Sequence, residues 1–174
     1  MSETQGKVIQ LETPLSEEAI RRLSVGDFVE ISGTVLCGRD AVLPKLEKLA
    51  DDGDREVRAL LGGSVIFHTA VSSAGIGPTT SNKVEIEGSI PALSRAGVKI
   101  HLGKGALSPA TTAALKEHNS VFAITPPTTA LFSEKIISKR VVMFPEEGME
   151  ALYEVKVKGL PAIIAIAHGE SIFS

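Results

Sequence analysis

Apolar and polar residues alternate along this chain with the period of strands in some segments and of helices in others. Alternation over residues 28–36, which are rich in β-branched side chains, predicts a strand. Leu43, Leu46 and Leu49 recur at threefold spacing and predict a helix. Further strands are predicted at 7–11, 64–70, 98–102, 120–125, 140–144 and 162–167, and one more follows the break at 145–148 and ends at residue 157. The other predicted helices are 16–23, a short turn ending at 62–63, 91–96 and 108–117.

Residues that favour helix starts stand before three of these helices. Ser16 and Ser108 are expected N-caps, and Pro109 suits the first turn after the second of them. Asp40 is expected to cap the leucine-bearing helix, where Pro44 is compatible only with the first turns.

Strands and helices alternate through the middle of the chain, which predicts an α/β fold. The end of the chain is richer in strands, which argues against a purely parallel sheet with helices on both faces. Residues 71–83 are rich in Ser, Gly, Pro and Thr and are predicted to form a loop. Long loops on a rigid core often carry function, so this segment is a candidate for the functional site.

Composition narrows the class of protein. A length of 174 residues predicts a single domain over 1–174, with about the first six residues expected to be disordered. Aromatic residues make up 4% of the chain, which argues against the stacking platforms of single-stranded nucleic-acid binders. A net charge of −3 gives no general attraction to nucleic acid or to an acidic membrane. The chain shows neither a membrane-spanning apolar run nor a signal peptide, so a cytoplasmic location is expected.

Cysteine and histidine usage offers no metal site within this chain. The only cysteine, Cys37, excludes an internal disulfide framework and cannot supply the three or four thiolates of an iron–sulfur cluster. It ends a predicted strand and is expected to be a buried thiol. His68 lies in an apolar strand and is expected to be a core histidine with a hydrogen-bond partner. The remaining histidines have no metal-ligand spacing.

Two short runs offer chemistry: 77–83, which contains Thr79, Thr80 and Lys83, and 102–105, which contains Lys104. Each places a cation in a glycine-bearing segment after an apolar run, and glycine lets the backbone approach a ligand closely. Neither is a nucleotide-binding loop. A Walker A motif at 102–105 would need glycine at position 98, which is valine, and a dinucleotide fingerprint starting at Gly75 would need a third glycine where Thr80 stands. The pattern favours a pocket for a compact anion such as a dicarboxylate.

The same residues also have ordinary structural interpretations. Thr79 and Thr80 after Gly-Pro suit a turn whose hydroxyl groups bond to nearby backbone. Arg39 beside Asp40 suits an ion pair at a helix start, and Lys104 between two glycines suits a solvated turn. The residues alone leave both interpretations open.

These runs, with 38–40 (Gly-Arg-Asp) and 148–151 (Gly-Met-Glu-Ala), resemble the beta subunit, or carboxy-terminal domain, of class I fumarases and L-tartrate dehydratases. The four segments follow the family's order and approximate spacing across nearly the whole chain. This family consists of iron–sulfur hydro-lyases, and its domain is a swivelling β/β/α fold of three layers with mixed sheets. The resemblance therefore implies that architecture here.

The resemblance also implies roles for individual residues. Thr79 is the expected catalytic base, Arg39 and Lys104 are expected to bind substrate carboxylates, and Lys83 and Thr80 are further expected substrate contacts. The family usually has arginine at the position of Lys83, and an ammonium does not replace a bidentate guanidinium. It also commonly has histidine shortly after the Arg-Asp pair, where this chain has Val42 and Leu43.

The implied activity is the reversible hydration of fumarate to L-malate, a reaction of the tricarboxylic acid cycle. A four-iron four-sulfur cluster would be carried by a partner alpha subunit, in a heterodimer or a dimer of heterodimers, with no metal bound by this chain. The alternatives are an L-tartrate dehydratase or related dicarboxylate hydro-lyase subunit, a non-catalytic anion-binding or regulatory module, and a scaffold for the cluster-bearing subunit. The sequence does not distinguish fumarate, mesaconate and tartrate as substrates.

Overall fold

The computed structural model describes residues 8–39, 41–69, 71–72, 75–76, 83–125 and 135–173, with backbone only at 71–72, 75–76 and 83–86. Its strands are β1 Val8–Glu12, β2 Phe28–Cys37, β3 Val65–Phe67, β4 Val71–Ser72, β5 Gly75–Ile76, β6 Ile100–Gly103, β7 Val121–Ile124, β8 Ile136–Met143, β9 Leu152–Ala167 and β10 Glu170–Ser171. Its helices are α1 Glu17–Arg21, α2 Leu43–Asp51, α3 Arg55–Leu61, α4 Lys83–Arg95 and α5 Pro109–Glu117, with a 3₁₀ helix at Pro145–Glu150. None of the helices in the described ranges has the length and apolar character that a bilayer crossing requires.

The main sheet is mixed, with eight strands in the described residues. Its parallel part runs in the order β1-β2-β3-β6-β7, with α1 between β1 and β2, α2 and α3 between β2 and β3, α4 between β3 and β6, and α5 between β6 and β7. The long strand β9 is antiparallel to β7 and also to β2. Hydrogen bonding therefore returns from β7 through β9 to β2, and the sheet curls round on itself. β4 and β5 form a separate small hairpin.

Apolar side chains are buried on both faces of this curled sheet. One cluster lies inside the curl and takes side chains from all five strands of the closed circuit, including Val35, Phe67, Leu102, Ala123 and Val155. A second cluster joins the outer face of β2 and β3 to α2 and α3, and a third includes residues of α4, α5, β7 and β9. The order is thus sheet, sheet, helix, and the expected three-layer α/β fold with a mixed sheet is confirmed.

Two of the three predicted helix caps are confirmed. The side-chain oxygens of Ser16 and Ser108 accept hydrogen bonds from the backbone N–H groups of Ala19 and Thr111. The prediction for Asp40 is wrong, because the N-cap of α2 is Val42 and makes no side-chain capping bond. The backbone starts this turn instead: the N–H groups of residues 42 and 43 donate to the carbonyl oxygen of Arg39, at 3.0 and 2.9 Å.

Two other element boundaries differ from those predicted. α4 begins at Lys83 rather than at residue 91, so Pro91 lies inside the helix. Its apolar positions follow a helical stripe poorly, and packing of buried Ile90 and Leu93 outweighs local propensity. β9 is one continuous strand where two were predicted, because a bulge in β9, where Lys158 and Gly159 lie opposite Ser32 of β2, accommodates Gly159 at φ +66 without ending the strand.

Candidate functional site

The carboxyl ends of the parallel strands place Arg39 and Lys104 at the same edge of the sheet. Cys37 of β2 pairs with Phe67 of β3, which pairs with Leu102 of β6, so these three residues form one row. Arg39 and Lys104 each lie two residues beyond that row. Adjacent strands are about 4.8 Å apart, so with β3 between them the ends of β2 and β6 are about 10 Å apart. The carboxyl edge of an open α/β sheet is where ligands usually bind.

The backbone around Arg39 is closely packed. A Cβ atom on the preceding residue, Gly38, would lie 2.9 Å from Cγ2 of Val42, so any larger residue here would have to displace that side chain. The N–H of Gly38 donates to the carbonyl oxygen of Phe67 at 3.1 Å, which ties the turn to β3. Arg39 itself is half-buried. A partly desolvated guanidinium on a fixed turn is well placed to grip a carboxylate with two parallel hydrogen bonds.

Lys104 starts the connection from β6 to α5 and is exposed. Gly105 follows it with φ +86, a conformation that suits glycine. At the far end of this connection, the carboxylate of Glu87 on α4 accepts hydrogen bonds from the N–H of Ser108 at 2.9 Å and from Oγ1 of Thr111 at 2.5 Å. Glu87 thus fastens the loop that carries Lys104 to α4, a role that sequence patterns did not reveal.

Three helices begin at this edge. α2, α4 and α5 each follow a parallel strand and lead back toward the start of the sheet. The ion pair between Arg95 Nη2 and Asp51 Oδ1, at 2.9 Å, joins the carboxyl ends of α4 and α2, so their amino ends also lie on one side. Helix amino termini carry partial positive charge, although the one of α5 is already met by the Glu87 carboxylate. Together with the two cationic side chains, they make this edge suited to an anion.

The other predicted site residues belong to the connection between β3 and α4. Lys83 is the first residue of α4, and its side chain lies outside the described part. Thr79 and Thr80 also lie outside the described residues. The roles of Thr79, Thr80 and Lys83 therefore stay predictions, and so do the roles of Arg39 and Lys104 in binding substrate.

A chain of buried polar side chains lies directly below the edge. His68 Nε2 is 3.2 Å from His101 Nδ1, and His101 Nε2 is 2.8 Å from Ser94 Oγ. All three residues are buried. The prediction that His68 is a core histidine with a partner is confirmed. Its link to His101 depends on the pairing of β3 with β6 and has no local sequence signal.

Burial keeps both imidazoles neutral. It lowers the pKa of His68 to about 4, and burial followed by repulsion from His68 lowers the pKa of His101 well below its ordinary value. The folded protein then binds fewer protons than the unfolded chain below pH 6.5. We expect stability to fall from pH 6.5 toward pH 4, by about 2 kcal/mol at pH 5 from His68 alone, with His101 acting in the same direction. Urea denaturation at pH 7 and pH 5 measures this loss.

The matched comparison for this acid effect uses two variants. A variant with both His68→Leu and His101→Leu should lose less stability between pH 7 and pH 5 than the wild type. His118→Gln, a change outside the buried chain, should retain the wild-type loss. An equal loss in all three proteins would show that the buried histidines do not cause the acid sensitivity.

Comparison with known proteins assigns the family. A family model described as Fumarase C-terminus matches residues 1–174. The chain belongs to the Fumarase C-terminus family. A relative provisionally named class I fumarate hydratase, from Geobacillus stearothermophilus, is 33% identical over 187 residues, covering 98% of this chain and 34% of the relative. The anaerobic class I fumarate hydratase of Escherichia coli (strain K12) is 27% identical over 169 residues, covering 91% of this chain and 30% of that protein. The L(+)-tartrate dehydratase subunit beta of Escherichia coli (strain K12) is 28% identical over 178 residues, covering 94% of this chain and 86% of that subunit.

These relatives differ in how much chain surrounds the shared segment. This Fumarase C-terminus chain spans about a third of the two fumarate hydratases but most of the tartrate dehydratase beta subunit. The family match confirms the resemblance inferred from the four short segments. At the level that the relatives share, their names describe hydro-lyases, and the choice between fumarate and tartrate is left open.

The residues of this Fumarase C-terminus chain do not fit an iron–sulfur cluster of their own. Its single thiol, Cys37, is fully buried in the core, and burial raises the pKa of that thiol, so the thiolate that binds iron is disfavoured. Within the described ranges, no group of three or more His, Cys, Asp and Glu side chains is arranged to hold a metal ion. A cluster would have to be held by cysteines outside these 174 residues.

Proposed function

We propose that this chain is the beta subunit of a two-chain iron–sulfur hydro-lyase that hydrates fumarate reversibly to L-malate. The observation that carries the proposal is the cationic edge: Arg39 and Lys104 follow the ends of β2 and β6, two strand spacings (roughly 10 Å) apart, on the side of the sheet where α2, α4 and α5 begin. This arrangement occurs in a member of the Fumarase C-terminus family. A dicarboxylate is small enough for both side chains to reach it from opposite sides.

The two cations have different parts in this proposal. The guanidinium of Arg39 binds one carboxylate through two hydrogen bonds and fixes its plane, whereas the ammonium of Lys104 attracts the other carboxylate as a point charge. Removing a proton from the carbon beside a carboxylate places a second negative charge on that carboxylate. Fixed positive groups that face this charge stabilise it more than they stabilise the substrate, which is the condition for faster chemistry.

Thr79 is the proposed base for that proton. A threonine hydroxyl is a weak base at its ordinary acidity, and nearby positive charge favours its ionised form. The connection that holds Thr79 begins at the carboxyl end of β3 and ends at Lys83, the first residue of α4. Both of its ends therefore belong to the cationic edge. This placement supports Thr79 as the base, together with the family resemblance.

The partner in this proposal is an alpha subunit that carries a four-iron four-sulfur cluster. Two observations support it. The single buried cysteine of this chain cannot hold a cluster. The chain also spans 86% of a relative that is itself named a beta subunit. The active site would form where the alpha subunit covers the cationic edge.

L-tartrate is the second candidate substrate. It is supported by the similarity to the L(+)-tartrate dehydratase subunit beta, which is 28% identical over 94% of this chain. Lysine at position 83, where the family usually has arginine, adds a difference at the proposed carboxylate site. Methylated and hydroxylated relatives of fumarate are therefore assayed alongside fumarate itself.

Reconstitution tests the two-chain proposal. The purified chain should be folded, colourless and without hydratase activity. Mixed under anaerobic conditions with the cluster-bearing alpha subunit, it should hydrate fumarate or dehydrate L-tartrate. Assays of the mixture against fumarate, mesaconate and L-tartrate, with each subunit alone as control, measure the activity and rank the substrates.

Two results would contradict this proposal. Turnover by the chain alone, without iron, would remove the need for a partner. A mixture that associates, contains an intact cluster and converts none of the three substrates would instead favour the non-catalytic anion-binding module.

A further inference from the structure

An apolar row crosses four strands on the outer face of the sheet. Val8 of β1 pairs with Phe28 of β2, Phe28 pairs with Ile163 of β9, and Ile163 pairs with Ile124 of β7. Directly paired residues on adjacent strands point to the same face of a sheet. These four residues also line one cavity of about 340 Å³. The apolar row is therefore a continuous feature of the surface.

The Val8 and Phe28 end of the row is exposed, whereas Ile124 at the other end packs against the third core cluster. Along β2 the side chains of Val29 and Ile31 point inward and are buried, so Phe28, the first residue of the strand, points outward. Phe28 is 50% exposed and Val8 is 39% exposed. A half-exposed phenylalanine within a contiguous apolar groove is a typical anchor of a protein–protein interface.

One end of the row reaches the candidate site. Ile124 pairs with Gly103 of β6, and Lys104 is the next residue along the chain. A body that covers the cationic edge at Lys104 can therefore extend directly onto the apolar row. This continuity indicates a partner of the active site rather than an unrelated protein.

Val8, at the other end of the row, is near the point where the additional chain of the longer relatives would join this segment. Those relatives have about three times the length of this chain, and their shared family is described as the fumarase C-terminus. Most of their additional chain therefore precedes the segment that corresponds to this one and joins it ahead of β1. The first described residue of β1 is Val8, at the end of the row. In a two-chain enzyme the counterpart of that additional chain would be the separate alpha subunit.

We propose that the apolar row Val8-Phe28-Ile163-Ile124 is a docking surface for the cluster-bearing alpha subunit, with Phe28 as its central anchor. This proposal rests on the proposed function, because it takes the alpha subunit as the occupant. The matching surface of that subunit would present aliphatic or aromatic side chains, which fill the groove and exclude water from the neighbouring cationic edge. Charged groups at the site would then act in a drier environment, where they interact more strongly.

Phe28→Asp tests the docking surface in the two-chain complex. A buried charge opposite apolar partner side chains should weaken association at least about 30-fold, the loss typical of a strong interface anchor. Phe173→Asp is the matched control, because Phe173 is 42% exposed and lies outside the row. Association is measured by analytical ultracentrifugation of the alpha subunit mixed with increasing amounts of each variant. Circular dichroism checks that the variants remain folded. Val8→Asp, at the start of β1, provides a second variant of the row if Phe28→Asp does not fold.

The outcomes separate this proposal from the proposed function. Weakened binding with Phe28→Asp and normal binding with Phe173→Asp supports the docking surface. Normal binding with both variants in an active complex overturns the docking surface and leaves the proposed function intact. A wild-type chain that does not bind the alpha subunit overturns both. Self-association of the chain that Phe28→Asp abolishes, with binding to the alpha subunit unchanged, would assign the row to a second copy instead.

Discussion

Replacing Thr79 with valine should abolish most turnover of the reconstituted enzyme while leaving the chain folded. Valine has nearly the shape of threonine but lacks the hydroxyl that would accept the proton. Loss of a general base typically lowers the rate by about 10²–10⁴-fold. We expect this loss in kcat, with a smaller change in KM, because Arg39 and Lys104 would still bind the two carboxylates. Steady-state kinetics with fumarate or L-tartrate measure the effect.

Controls for Thr79 come from neighbouring and distant threonines. Thr80→Val should raise KM more than it lowers kcat, since Thr80 is expected to contact substrate rather than take the proton. Thr112→Val on α5 should behave as the wild type. Full turnover by Thr79→Val with the fold intact would contradict its role as base. If Thr80→Val abolished turnover instead, Thr80 rather than Thr79 would be the base.

Elements with strong local signals could be predicted from the sequence. Ser108 followed by Pro109 combines a favoured cap with a first-turn proline, and α5 begins as predicted. The alternating residues of β2 predicted that strand to within one residue. These features depend only on neighbours along the chain. The overall class followed from the alternation of strands and helices in the middle of the chain.

Features that depend on contacts distant in sequence could not be predicted in this way. α4 extends eight residues before its predicted start because buried contacts of its second half stabilise a segment with a weak helical pattern. The hydrogen bond between His68 and His101 requires β3 to pair with β6 in one particular register. Glu87 reaches Ser108 only after α4 and α5 have packed together. None of these contacts leaves a periodic signal.

The candidate site combines both kinds of information. Arg39 and Lys104 are 65 positions apart in sequence, and only the strand order β2-β3-β6 shows that they share one edge. The residue types drew attention to each cation separately, whereas the topology makes them a pair. A site assembled from several strand ends is typical of α/β folds, because every parallel strand delivers its following residue to the same edge.

Arg39→Ala should therefore have a large effect on catalysis and a small effect on folding. Removing one fixed donor that faces developing negative charge typically costs about 10²–10³ in rate, and we expect kcat/KM to fall by that factor. Arg39→Lys keeps the charge but loses the second parallel hydrogen bond, so it should fall between the wild type and alanine. Arg95→Ala is the matched control, since Arg95 forms an exposed ion pair with Asp51 at the other end of the helices. Equal activity of Arg39→Ala and Arg95→Ala would show that the guanidinium at position 39 does not face the reacting carboxylate.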